Sequence, residues 1–231
     1  MSVNGKAVLI TGANGGLGAS VTNAFLDAGA SVVGVSRSIG QSEFPNPRFT
    51  ALAADITSLE SARAISGAVI GKLGRIDAVV HLVGGFAGGQ SVADTDDATL
   101  DKMMALNFLA AFHLVRAVLP AMRAQGAGCI LAIGSRAVIE PQANIGAYAA
   151  SKAALAALIR TVALENKDKG ISANLILPST IDTPANRAAS PGADHAKWVQ
   201  PSQIAALLVH LASGRASQIS GAQIPIFGGE L

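Results

Sequence analysis

Short runs of apolar and β-branched residues recur along the chain at Ala7–Ile10, Ser31–Val35, Phe49–Ala53, Ala78–Leu82, Cys129–Ile133, Ser172–Leu177 and Ala222–Phe227. Each is bounded by Gly, Pro or polar turn residues, so the pattern predicts seven strands. Between them apolar positions return at helical spacing. Leu17, Val21, Ala24, Phe25 and Ala28 mark one such face, and Gly29 stands where a helix end needs a left-handed residue. Strands alternating with helices predict a parallel sheet covered on both faces. The longest stretch without either period, Ser179–Gln200, contains Pro184, Pro191, Gly192 and Trp198 and is expected to be an irregular loop that covers a substrate. No linker, composition shift or repeat divides residues 1–231, which are expected to form one domain.

Composition narrows the reading. Half the residues are hydrophobic, 14% are charged and 4% are aromatic, a balance that suits closely packed parallel sheet and helices and argues against disorder. The formal charge of +2, without any Lys/Arg run, leaves no electrostatic footprint for nucleic acid. The lone Cys129 excludes an internal disulfide and a cysteine-based metal cluster; its apolar setting reads as core. The N-terminal residues lack the basic head and apolar stretch of a signal peptide, and no uninterrupted apolar run approaches the roughly 18 residues that span a bilayer. A soluble, unprocessed, cytoplasmic protein with no membrane partner is expected.

The first candidate chemistry is the turn Thr11-Gly12-Ala13-Asn14-Gly15-Gly16-Leu17-Gly18, which follows the first strand and opens the first helix. Glycine lets a phosphate approach backbone N–H groups, and the helix N-terminus adds partial positive charge, so this context predicts a dinucleotide pyrophosphate on Gly12, Asn14, Gly16, Leu17 and Gly18. The second strand ends Ser36-Arg37, where the adenosine ribose is met. No carboxylate appears before Glu43, so nothing there is expected to repel a 2′-phosphate, and Arg37 can pair with one through its planar fork. NADP(H) is the expected cofactor.

Tyr148 and Lys152 lie four residues apart at the start of an alanine-rich helical segment, so both project from one face. An ammonium beside a phenol is expected to lower its pKa from about 10 toward a usable acid–base. The fifth strand ends Ile133-Gly134-Ser135, and ligands sit at that edge of open α/β sheets, so Ser135 can present its hydroxyl to the same oxygen.

These three elements together resemble the short-chain dehydrogenase/reductase family, whose TGxxxGxG turn, catalytic serine and YxxxK appear as Thr11–Gly18, Ser135 and Tyr148–Lys152. The resemblance covers essentially the whole chain and implies a Rossmann-type doubly wound sheet. It further implies that Asp55 and Ile56 contact adenine and that Asn107 holds a proton-relay water. It places Gly84, Pro178, Ile181 and Thr183, with Tyr148 and Lys152, beside the nicotinamide half. The family's NNAG is replaced by His81-Leu82-Val83-Gly84, and its PG by Pro178-Ser179. His81 is expected to be a strand residue with a satisfied ring, and no metal is expected.

Gly84–Gly89 and Leu177–Arg187 are similar to segments of dihydropteridine reductases, a likeness that continues to Trp198; Phe86, Asn186 and Trp198 are the candidate substrate residues. The resemblance implies hydride transfer to a small-molecule carbonyl with Tyr148 as proton donor, or reduction of a quinonoid pterin. A non-enzymatic NADP(H) sensor is the competing reading, against which an intact Ser135, Tyr148 and Lys152 weigh. The helix carrying Tyr148 has small residues at Ala149, Ala153, Ala156 and Ala157, and the resemblance implies a homodimer or homotetramer built on it and its predecessor.

Overall fold

The computed structural model of the chain describes residues 3–230. All seven expected runs form strands: β1 (Ala7–Thr11), β2 (Ser31–Ser36), β3 (Phe49–Ala53), β4 (Ala78–His81), β5 (Gly128–Ile133), β6 (Ile171–Pro178) and β7 (Gln223–Ile226). They make one parallel sheet in the order β3-β2-β1-β4-β5-β6-β7. The helices are α1 (Gly18–Asp27), α2 (Leu59–Leu73), α3 (Asp97–Met104), α4 (Ala110–Gln125), α5 (Gly146–Glu165), α6 (Pro184–Ala189) and α7 (Pro201–Ala212).

Alternation along β1 explains why the sheet needs two helical layers. Val8 and Ile10 face a core shared with Phe25 of α1 and Leu208 of α7. Leu9 faces the opposite core, shared with Leu114 of α4 and Ile159 of α5. Burying each such side chain contributes roughly 2 kcal/mol. Two helical stretches, Asp97–Gln125 and Gly146–Glu165, are long and apolar enough by composition to cross a bilayer, which a search for uninterrupted apolar runs does not register. In the fold one face of each lies against the sheet, through Leu114 and Val118 and through Leu155 and Ile159.

The site is positioned by topology. From β1 the chain winds outward to β2 and β3, whereas β4 to β7 are laid down on the other side, so loops leaving β1 and β4 diverge and open a crevice at the C-terminal ends of the strands. Gly12 turns the chain there with φ 74°; a Cβ on it would stand 3.3 Å from the backbone of Leu82 and Val83.

Residues 179–200 are more ordered than the sequence pattern predicts. Thr183 caps α6 with Pro184 in its first turn, and His195–Lys197 form a 3₁₀ turn. The base of the excursion is zipped by Val199 N–H donating to the Thr180 carbonyl and Asp182 N–H to that of Val199, both at 2.9 Å. Arg187 and Gln200 hold the Asp182 carboxylate at 2.7 and 3.0 Å. A helix of six residues is too short for periodicity to reveal it.

Candidate active site

The crevice has a volume of about 830 Å³ and is walled by the segments that follow β1, β4, β5 and β6. A Cβ on Gly134 would lie 2.6 and 2.9 Å from the side chains of Leu177 and Leu175, so β5 ends on a bare residue and the chain turns outward. Ser135 caps the short turn that follows, accepting from Ala137 N–H at 3.2 Å, and lines the cleft. Tyr148 and Lys152 reach the same cleft from successive turns of α5, on the side that Ser135 lines.

Electrostatics here follow burial. Desolvation pushes the Tyr148 phenol above its ordinary value, and the neighbouring Ser135 hydroxyl pulls it part of the way back. Lys152 is 6% exposed and donates to the Ile133 carbonyl at 2.9 Å; burial lowers its ammonium from 10.5 to about 8. The expectation that Lys152 depresses the Tyr148 pKa is therefore corrected. The ammonium is directed to a strand carbonyl, desolvation of the phenol dominates, and the lowering contact comes from Ser135.

Asn107 stands on a wider helical turn, Ala105–Leu109, that interrupts the α3–α4 stretch. Its Oδ1 accepts from Gly85 N–H at 2.8 Å, and its Nδ2 donates to the Gly85 carbonyl at 3.0 Å and to the Ser151 hydroxyl at 2.9 Å. Ser151 in turn donates to the Tyr148 carbonyl at 2.8 Å. The Asn107 side chain thus clamps the loop after β4 onto α5. Ser151 was not singled out by sequence; its position three residues after Tyr148 was the available signal.

His81 ends β4 fully buried, its Nδ1 2.8 Å from the Thr11 hydroxyl of β1. Its Nε2 has no partner among the described residues, so the expected satisfied ring is satisfied at one nitrogen only. Burial, with the Lys152 charge, lowers its pKa to about 3 and keeps it neutral. No cluster of three metal-ligating side chains occurs among the described residues.

The glycine turn fits a dinucleotide. A Cβ on Gly18 would fall 1.9 Å from the Gly12 carbonyl, and one on Gly16 would fall 2.9 Å from the Thr183 side chain. Bare backbone is thereby kept at the mouth of α1, with the Thr183 side chain packed directly against it. Leu17, Gly84, Pro178 and Ile181 line the same space. Asp55 is exposed and accepts from Thr57 N–H at 2.9 Å, beside a buried Ile56. Ser36 ends β2, and Arg37 is exposed with no hydrogen bond or ion pair among the described residues.

Glu43 changes the picture at that end. Its carboxylate accepts from the Asn14 side-chain amide at 3.2 Å and from Gly40 N–H at 2.7 Å. A negative charge does stand beside the glycine turn, which corrects the expectation that nothing there would repel a phosphate. The chain folds back because Ile39 and Phe44, on either side of the turn, are both buried.

Of the candidate substrate residues, Phe86 and Asn186 line the cleft. Phe86 is exposed and sets its ring edge-on to Tyr148, centroids 5.0 Å apart. Asn186 donates to the Ile181 carbonyl at 2.8 Å. Trp198 is not in the cleft: it is 6% exposed and packs on His195, its ring 4.4 Å away, because a large apolar ring gains most from burial. Sequence reasoning missed Arg136, which follows Ser135, pairs with Glu140 at 2.6 Å and stacks on Phe227; Arg136 and Glu140 line the cleft with Glu230.

A doubly wound sheet with a bare-backbone nucleotide cradle opposite a tyrosine–serine pair defines a dinucleotide-dependent oxidoreductase as the class. The model of the short chain dehydrogenase family matches residues 6–194, and the chain belongs to that family. It is 32% identical over 245 residues to the 7alpha-hydroxysteroid dehydrogenase of Escherichia coli (strain K12), covering 99% of this chain and 95% of that one. A 3-ketoacyl-(acyl-carrier-protein) reductase from Brucella melitensis, solved with NADH, superposes with a TM-score of 0.89 at 25% identity over 99% of each chain. ElxO with NADP bound gives 0.91 at 25% identity, over 97% of this chain and 98% of that one. The structural relatives thus hold nicotinamide cofactors of both kinds.

Proposed function

We propose that the chain is an NADP(H)-dependent reductase that converts a small-molecule ketone to an alcohol. The observation that carries this reading is the convergence of Ser135, Tyr148 and Lys152 on one cleft at the C-terminal edge of the sheet. Gly12, Asn14, Gly16, Leu17 and Gly18 would hold the pyrophosphate, Ser36 and Arg37 the adenosine 2′-phosphate, and Asp55 and Ile56 the adenine. Gly84, Pro178, Ile181 and Thr183 would wall the nicotinamide half, with Lys152 on its ribose hydroxyls. When bound, the cofactor supplies hydride.

Tyr148, which burial keeps protonated, donates its proton to the carbonyl oxygen as charge develops there. Ser135 donates a hydrogen bond to the same oxygen. Lys152 fixes the geometry so that the reaction is effectively unimolecular. Asn107 keeps Gly84 and Gly85 against α5 and so holds the wall of the site. Tyr148→Phe should retain NADPH binding in a fluorescence titration while losing turnover by about 10²- to 10⁴-fold. Near-normal turnover would sink the proton-donor role.

The exposed Phe86 ring beside Tyr148 favours a second reading, a flat substrate such as a quinonoid pterin. A panel of ketones, quinones and quinonoid pterins, followed by NADPH oxidation, separates the two; a pterin rate above that of every ketone would replace the first reading. Assembly as a homodimer or homotetramer belongs to the same proposal, because α4, α5 and the wide turn that precedes α4 leave Phe112, Leu164 and Leu109 exposed. A monomer mass by light scattering would count against it.

A further inference from the structure

The connection between β2 and β3 carries three charged groups: Arg48, which donates to the Leu26 carbonyl at 2.9 Å, and Arg37 and Glu43, which form no ion pair with one another. We propose that Glu43 selects against the 2′-phosphate at the adenosine end of the cleft, tempering the preference that Arg37 confers so that NADH remains usable. The inference rests on the dinucleotide reading above and names the residue that sets its strictness.

The Glu43 side chain is held in place. Ile39 and Phe44 anchor the connection in the core, and the Phe44 ring packs on Phe49 of β3 with centroids 4.7 Å apart. Gln41 ties the intervening turn to β3, donating to the Phe49 carbonyl and accepting from Ala51 N–H, both at 3.0 Å. With the turn fixed, one Glu43 oxygen accepts from Gly40 N–H at 2.7 Å, and the two oxygens lie 3.3 and 3.2 Å from the Asn14 amide nitrogen. Asn14 belongs to the glycine turn. The carboxylate therefore stands where the pyrophosphate cradle meets the end of β2, beside the entry of the ribose 2′ substituent.

Both partners of Glu43 are neutral, and no ion pair among the described residues joins it to Arg37. Among the described residues no cation pairs with it beside the glycine turn. A free 2′-hydroxyl can donate to a carboxylate, whereas a phosphate dianion meets it with like-charge repulsion. Selection by such a repulsive group acts alongside the attraction from Arg37 rather than replacing it.

The test measures Kd for NADPH and for NADH by fluorescence titration of the wild-type protein and of Glu43→Gln, which keeps the side-chain shape and an acceptor for Gly40 N–H. NADPH should bind roughly tenfold more tightly to the variant at low salt, NADH should change by less than about threefold, and high salt should narrow the gap. An equal change for both, or none, overturns the proposal. Glu43→Lys provides a second variant should the first fold poorly, with a still larger shift toward NADPH expected. Wild-type protein that binds neither compound would defeat the dinucleotide reading together with this inference; binding with an unaltered ratio in both variants would defeat the role of Glu43 alone.

Discussion

The two ends of the cleft hold their polar groups by opposite means. At the inner end Lys152, Asn107, Ser151 and Thr183 are buried, and each bonds backbone or another side chain. At the outer, proposed adenosine end Arg37, Glu43 and Asp55 are exposed: Arg37 makes no hydrogen bond or ion pair among the described residues, Asp55 accepts from Thr57 N–H, and Glu43 accepts from Gly40 N–H and the Asn14 amide. Charges interact several-fold more strongly in a buried setting than in water. The inner end can therefore tune proton transfer, whereas the outer end can only bias a choice between similar ligands. Substitutions at the two ends should differ accordingly in size and in salt dependence.

Lys152→Met probes the inner end and should have the larger effect. Turnover should fall by about 10² or more, because the group proposed to fix the ribose is removed. Stability should move the other way. The folded-state pKa of Lys152, about 8, lies below its ordinary 10.5, so folding disfavours the charged ammonium. That penalty, roughly 3 kcal/mol, is fully present below pH 8, shrinks as pH rises through the window from 8 to 10.5 and is gone above it. Loss of the hydrogen bond to Ile133 offsets about 1 kcal/mol. The variant should thus exceed the wild type in melting temperature by most at pH 7 and lose that advantage as pH approaches 10.5. A difference independent of pH, measured by scanning calorimetry, would remove the buried charge from the explanation.

The same contrast governs what could be read from the chain. The strands were legible because apolar runs bounded by turn residues have few other uses, and Tyr148 and Lys152 because a four-residue spacing on a helix fixes a shared face whatever surrounds it. Ser135 was legible from its place after the fifth run. What escaped depends on long-range folding. Glu43 reaches Asn14 only because Ile39 and Phe44 turn inward, and Asn107 meets Gly85 only because a wide turn rotates it. The relation of Lys152 to Tyr148 was misjudged because spacing gives a face but no dielectric. Trp198 looked like a ligand-stacking ring because a pattern cannot tell a cleft wall from the packing behind it.

Arg37→Asp probes the outer end and should have the smaller effect. Arg37 is exposed and unpaired among the described residues, so the proposed bond to a 2′-phosphate would form in water and is discounted to about 1.4 kcal/mol, a tenfold loss of NADPH affinity. NADH should bind within about twofold of the wild type, and high salt should erase most of the difference, unlike the loss at Lys152. Combining Arg37→Asp with Glu43→Gln sharpens the point. Since the two side chains make no contact, their effects on NADPH binding should add, and the double variant should return near the wild-type ratio of the two affinities. A double variant that behaves like either single one would mean that Arg37 and Glu43 act as a coupled pair, and the outer end would then resemble the inner one in being a built site.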